Sequence, residues 1–121
     1  MAIRRVPVDV LQLSVFRNNT NIGNTAQNIS ADPCAVYAWI IDNPNTVDVF
    51  VKLYNKVGAT ASDTPLFTSL RVPAGGTVVG GAGIRIEFAT ALSIRATTER
   101  ADNGTTSPST AIDVTIFYNA A

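Results

Sequence analysis

The segment RVPAGGTVVGGAGIRIEF (71–88) places five glycines within nine positions. Such a segment can bind a phosphate through its backbone amides if it connects a strand to a helix and carries a lysine followed by serine or threonine. Here the glycines precede IRIEF, which has the pattern of a strand, and no lysine lies nearby. Because glycine is the usual residue where φ must be positive, we predict two chain reversals instead, at 73–76 and at 80–83.

Two carboxylates, Asp42 and Asp48, flank the turn sequence NPNT and could approach each other like the acids of a glycosidase. No second pair of polar groups accompanies them, and carboxylates beside a turn are usually solvated. The chain has no histidine, which rules out a Ser-His-Asp triad and removes the commonest metal ligand. Glu99, Asp102 and Asn103 lack the spacing of a calcium loop. We therefore expect no catalytic, cofactor-binding or metal-binding residues, and we expect that the protein is not an enzyme.

Two other side chains have a possible chemical role and a simpler structural one. Cys34 is the single cysteine, which excludes an intramolecular disulfide, and without a histidine partner it is expected to be an ordinary half-buried thiol. Trp39 could stack on a sugar ring, but Ile40 and Ile41 beside it favour a position in the core.

The overall composition limits the class of partner. The 121 residues suffice for one domain, and nine basic residues balance nine acidic ones. This balance argues against nucleic acid or an anionic membrane as a partner, because both require clustered lysine and arginine. The start, MAIRRVPVDV, lacks an apolar run of signal-peptide length, and no run of about 20 apolar residues follows. We expect synthesis in the cytoplasm.

The elements are predicted to be strands. Valine, isoleucine and threonine number 37, whereas glutamate and lysine together number four. In VDVFVKL (47–53) apolar residues alternate with Asp48 and Lys52, as in a strand with one buried face. The pattern of short strands predicts an antiparallel, jelly-roll-like β-sandwich over 8–121, preceded by an arm at 1–7. The strands are predicted at 8–16, 24–30, 35–42, 47–55, 65–72, 76–80, 84–88, 91–97 and 111–118.

Candidate contact residues come from three parts of the chain. Phe50 and Tyr54 lie in phase with Asp48 and Lys52, which predicts a second buried surface, covered by the other sheet or by another subunit. Phe67 lies on the polar side of the 65–72 segment and is a third candidate. In the arm, the candidates are Arg4, Arg5 and Val6.

Four segments carry a resemblance to a known group of proteins: VFVKLYNK, TPLFTSLRVPAGGTVV, GIRIEFATALSIRATTERADNGTTSPS and IDVTIFYNA. Together they resemble small β-rich structural proteins of tailed bacteriophages, over about 47–118. These motifs belong to turns and strands, so they are typical of a fold more than of a role. Residues 1–46 lie outside the resemblance.

The resemblance implies a head decoration (cement) protein on the outer surface of the virion, synthesised in the cytoplasm of the bacterial host. Its expected partners are the major capsid protein and copies of itself, as a dimer or trimer. No cofactor, small-molecule substrate, nucleic acid or membrane is expected. The alternative is a tail, neck or fibre accessory protein that binds a receptor or carbohydrate, with Trp39 as a stacking platform.

Overall fold

Nine strands make up the computed structural model, which describes residues 13–120. They are β1 (Ser14–Asn18), β2 (Gln27–Ser30), β3 (Cys34–Asp42), β4 (Val49–Tyr54), β5 (Leu70–Val72), β6 (Thr77–Gly80), β7 (Ile86–Phe88), β8 (Leu92–Thr97) and β9 (Asp113–Ala120). Sheet A has the order β1-β9-β3-β6, with β7 also paired to β3, and sheet B has the order β2-β8-β4-β5. The predicted all-β sandwich is confirmed.

The strand pairs are nested in reverse order. β1 pairs with β9, β2 with β8, β3 with β6 and β7, and β4 with β5, all antiparallel. This is the pattern of one long hairpin rolled up into two sheets, which is the jelly roll. Because β6 and β7 pair with successive parts of β3, they act as one strand interrupted by a turn. The nine strands therefore occupy the eight positions of a jelly roll.

The core lies between the sheets and is apolar because alternate residues of each strand point inward. In β3 the alternation changes phase at a bulge between Val36 and Ala38. Before the bulge Cys34 and Val36 are buried, and after it Trp39 and Ile41 are buried. Because of the extra residue, even-numbered side chains face the core before the bulge and odd-numbered side chains face it after the bulge.

Both glycine-rich reversals are confirmed. In the first, the amide of Gly76 donates to the carbonyl of Pro73 at 2.9 Å, and Gly75 has φ of 67°. In the second, the amide of Ile84 donates to the carbonyl of Gly81 at 3.0 Å, and Gly83 has φ of 83°. A positive φ at the third position is the geometry of a type II turn, which explains glycine there.

Gly80 and Gly81 have a second role, because the indole of Trp39 lies against them. A Cβ on Gly80 would lie 2.6 Å from Nε1 of Trp39, and a Cβ on Gly81 would lie 2.8 Å from its Cζ3. The indole therefore occupies the space that two side chains would take. The glycines shape the end of β6 for a tryptophan rather than for a phosphate.

All nine predicted strands differ in their bounds from the observed ones, and two of them differ most. Within the segment predicted as a strand at 65–72, only β5 is a paired strand. The amide of Leu66 donates instead to the carbonyl of Leu53 at 2.8 Å. The strand predicted at 8–16 is observed as β1, and residues 8–12 lie outside the described part of the chain.

Candidate functional site

The strand β4 is buried on both faces. Its inward residues belong to the core, whereas Phe50, Lys52 and Tyr54 lie on the outer face of sheet B and are also buried, with Phe50 9% and Tyr54 1% exposed. Residues 98–106, called the covering loop below, lie over this face, and the guanidinium carbon of Arg100 is 5.7 Å from the centre of the Phe50 ring. The second buried surface exists, but the chain covers it itself. Phe50 and Tyr54 are thus buried within the single chain, and their role as subunit or capsid contacts stays a prediction.

Lys52 holds the covering loop through its ammonium group. Its Nζ donates to Oγ1 of Thr97 at 2.8 Å and to the carbonyls of Glu99 at 3.1 Å and Ala101 at 2.6 Å. Burial lowers the pKa of Lys52, and the positive charge of Arg95 lowers it further, while Asp102 and Glu99 oppose the shift. Three donors meeting three acceptors make this buried cation a fastener of the loop.

Arg95, which is paired with Lys52 across β4 and β8, is a second buried fastener. Its Nη2 donates to the carbonyl of Gly104 at 2.8 Å, and its Nε donates to the carbonyl of Asn24 at 2.7 Å. Its Nη1 donates to the hydroxyl of Tyr54 at 2.9 Å. One guanidinium thus joins the covering loop, the segment before β2 and strand β4.

Glu99 closes the covering loop on itself. Its Oε1 accepts hydrogen bonds from the amides of Thr105 and Thr106, each at 2.8 Å. These two amide bonds are the main cause that lowers the pKa of Glu99 below its ordinary value of 4.5. The ionised carboxylate is therefore the form that stabilises the loop.

We expect the covering loop to loosen in acid. Because the folded state lowers the pKa of Glu99, its contribution is complete above pH 4.5 and is lost as the pH falls through the lowered pKa. In an NMR titration, the amide shifts of Thr105 and Thr106 should change together with a midpoint below 4.5. Glu99→Gln should abolish this change, and Asp102→Asn in the same loop should leave it in place. A midpoint at or above 4.5 would show that the amides do not stabilise the carboxylate.

Trp39 and Phe67 pack together. Their ring centroids are 6.2 Å apart with an angle of 24° between the planes, and Trp39 belongs to the core. The predicted core position of Trp39 is confirmed, so its indole is not available as a platform for a sugar. Phe67 is half-buried against the core, and its role as a contact stays a prediction.

The side chains considered for chemistry each have a structural partner. Asp42 accepts from the hydroxyl of Thr77 at 2.8 Å, and Asp48 accepts from Nε of Arg71 at 2.8 Å. The Arg71 hydrogen bond is the main cause that lowers the pKa of Asp48. Cys34 is more deeply buried than predicted, and this burial raises the pKa of its thiol. Across residues 13–120, no cluster of three or more aspartate, glutamate or cysteine side chains is placed to hold a metal ion.

The outer face of sheet A carries exposed apolar side chains on both edge strands and on β3. Val79 of β6 is 69% exposed, Val15 of β1 is 58% exposed and Ile40 of β3 is 40% exposed. The register places Ile40 beside Val79, and Phe117 of β9 beside Val15. We call the five apolar residues on this side the sheet A face; they are Val15, Ala38, Ile40, Val79 and Phe117.

The sequence contained a signal for this face that the strand patterns did not use. Ile40 and Ile41 are adjacent in β3, and Val78 and Val79 are adjacent in β6, so each strand is apolar on both sides. In a two-layer sandwich only one side of each strand faces the core. The second apolar residue of each pair must therefore be exposed or covered by something else.

Comparisons of the chain with family models, with curated proteins and with solved structures find no match. Within residues 13–120 there is no helix of the length and apolar character needed to cross a membrane. The predicted arm contacts Arg4, Arg5 and Val6 lie outside the described residues.

Proposed function

We propose that this protein is a structural subunit of a bacteriophage virion, a decoration protein that binds the outside of the assembled head and stabilises it. The observation that carries the proposal is the difference in burial between the outer faces of the two sheets. Within residues 13–120, a loop fastened by Lys52 and Arg95 covers the outer face of sheet B, whereas Val15, Ile40 and Val79 of the sheet A face are exposed. A subunit of an assembly needs one such surface to bury against its neighbours.

Two further features support this role. The jelly roll is an architecture that viral capsid proteins share with lectins, and the turn and strand motifs of 47–118 resemble those of phage structural proteins. The chain carries no net charge, which favours association by apolar burial over the attraction of charged partners. In this proposal Arg4, Arg5 and Val6 contact the shell.

The mechanism is thermodynamic linkage. A subunit that binds the expanded shell more tightly than its precursor stabilises the expanded state by the difference in binding free energy. A rigid sandwich suits this role, since little conformational freedom remains to be lost when it binds.

We expect heads that lack this protein to release their DNA at a lower temperature than decorated heads. Adding the purified protein back should restore the release temperature, measured by the fluorescence of a DNA-binding dye during heating. A chain without residues 1–7 provides the matched variant and should restore it poorly. Equal release temperatures with and without the protein, or labelled protein found on the tail by electron microscopy, would refute the proposed role.

A further inference from the structure

We propose that the sheet A face binds the same face of a second copy of this chain, so that two jelly rolls pack as a symmetric dimer. This inference deepens the proposed function, on which its biological role rests, because it names the partner of the exposed face. The dimer itself forms without the shell, and it is therefore measured on the purified protein.

The face has the composition of an interface centre surrounded by a polar rim. In one row across the sheet, Val15, Phe117 and Ala38 are neighbours, and the next row consists of Arg17, Thr115, Ile40 and Val79. The first row carries no charge, and the charge in the second row is that of Arg17 on the edge strand β1. Interfaces between copies of one chain are likewise depleted of charge at the centre and apolar there.

Charges of both signs surround this centre. At one end of the strands Arg17 makes an ion pair with Asp113, with Nη2 and Oδ2 2.9 Å apart, and Asp42 accepts from the hydroxyl of Thr77. At the other end Arg85 makes an ion pair with Glu87. A strongly acidic or strongly basic partner would meet like charges at this rim. A second copy brings charges of both signs, so a twofold arrangement can place the basic residues of one rim against the acidic residues of the other.

The shape of the face favours a dimer over a larger ring. The face is one patch on one side of the molecule, and a patch that binds its own copy forms a closed twofold pair. A trimer would require a second, different patch on each subunit. Face-to-face packing of two sheets at about 10 Å is the arrangement already used inside the sandwich.

The expected strength follows from the size of the face. Four strands about 4.8 Å apart, with about six residues each, give a plane of roughly 400 Å². Two such faces with their side chains bury on the order of 1,000 Å² in total, at the lower end for specific interfaces. We therefore expect a dissociation constant in the micromolar range rather than the nanomolar range.

Sedimentation velocity over a concentration series tests the dimer. The wild-type chain should shift from the 12.8 kDa protomer to twice that mass as the concentration rises. Val79→Lys should raise the dissociation constant about tenfold or more, because it places an ammonium group of the edge strand β6 against the apolar face of the partner. Val79 is highly exposed in the single chain, so the variant should fold, which circular dichroism and the melting temperature check.

Val47→Lys is the matched control, because Val47 is 50% exposed and lies in the segment before β4, outside the sheet A face. It should leave the dissociation constant unchanged. Equal effects of the two lysine variants would overturn the proposed interface. A wild-type chain that stays monomeric to about 1 mM would also overturn it.

Two other occupants of the sheet A face, residues 1–12 and the shell, give different experimental results, and either result would overturn the dimer. If residues 1–12 cover the face, their deletion should convert a monomeric chain into a dimer. If the shell covers it, a monomeric chain should bind heads and Val79→Lys should prevent that binding, which would retain the proposed function. A dimer that leaves the release temperature of heads unchanged would confirm the interface and refute the function.

Discussion

Replacing Lys52 by methionine is expected to lower the free energy of unfolding by about 3 kcal/mol and to release the covering loop. Methionine fills the space of the lysine stem but donates no hydrogen bond. The carbonyls of Glu99 and Ala101 then lose their donor, and an unsatisfied buried acceptor costs about 1–3 kcal/mol. Removing the buried charge recovers part of this cost, since burial disfavours the ammonium form. The change is a large share of the 5–15 kcal/mol typical of a small domain.

Urea denaturation and limited trypsin digestion measure the two consequences. Arg100 lies in the covering loop, so cleavage after Arg100 should become much faster in Lys52→Met. Lys56→Met is the control, because Lys56 is exposed and makes a surface ion pair with Asp63 at 2.9 Å. It should cost less than about 1 kcal/mol. If both variants had the same stability and the same rate of cleavage after Arg100, the buried ammonium group would not hold the loop.

Gly80→Ala is expected to lower the free energy of unfolding by about 2–3 kcal/mol through a clash with Trp39. The new Cβ would lie within 3 Å of three indole atoms, and the neighbouring strand leaves the ring little room to move. Overpacking of a core commonly costs about 1–3 kcal/mol. Because Trp39 is the single tryptophan, its fluorescence reports the shift of the indole directly.

Alanine variants of two glycines with positive φ distinguish the cost of the clash with Trp39 from the cost of backbone strain. Gly81 has φ of 77° and a Cβ there would lie 2.8 Å from Trp39, whereas Gly83 has φ of 83° and open space around it. Gly83→Ala should cost about 1–2 kcal/mol from strain alone and leave the fluorescence unchanged. Gly81→Ala should cost more and alter the fluorescence. Equal costs and unchanged spectra for both would show that the indole adapts without penalty.

Much of the jelly roll could be predicted from the residues alone. Alternation in VDVFVKL predicted β4, since side chains on a strand point to opposite faces with a period of two. Glycines marked both reversals between β5 and β7, because only they adopt a positive φ without strain. The phosphate-loop alternative was rejected for the correct reason, since a strand and not a helix follows the glycines.

The burial of the outer face of each sheet could not be predicted from alternation. Lys52 and Arg95 alternate with apolar residues as solvated side chains would, yet both are buried by a loop from a different part of the chain. Alternation reports that two faces of a strand differ, but not what lies against the second face. The carbonyls that accept from these cations are backbone groups, which carry no sequence signal.

Local sequence thus determined the strands, the turns and the core position of Trp39, because these depend on alternation, positive φ and apolar neighbours within a few residues. Only the tertiary structure decided that sheet B is covered on its outer face while sheet A is exposed. The physical reason is that burial of an outer face depends on where a long connection folds back, and that is set by contacts between residues distant in the chain.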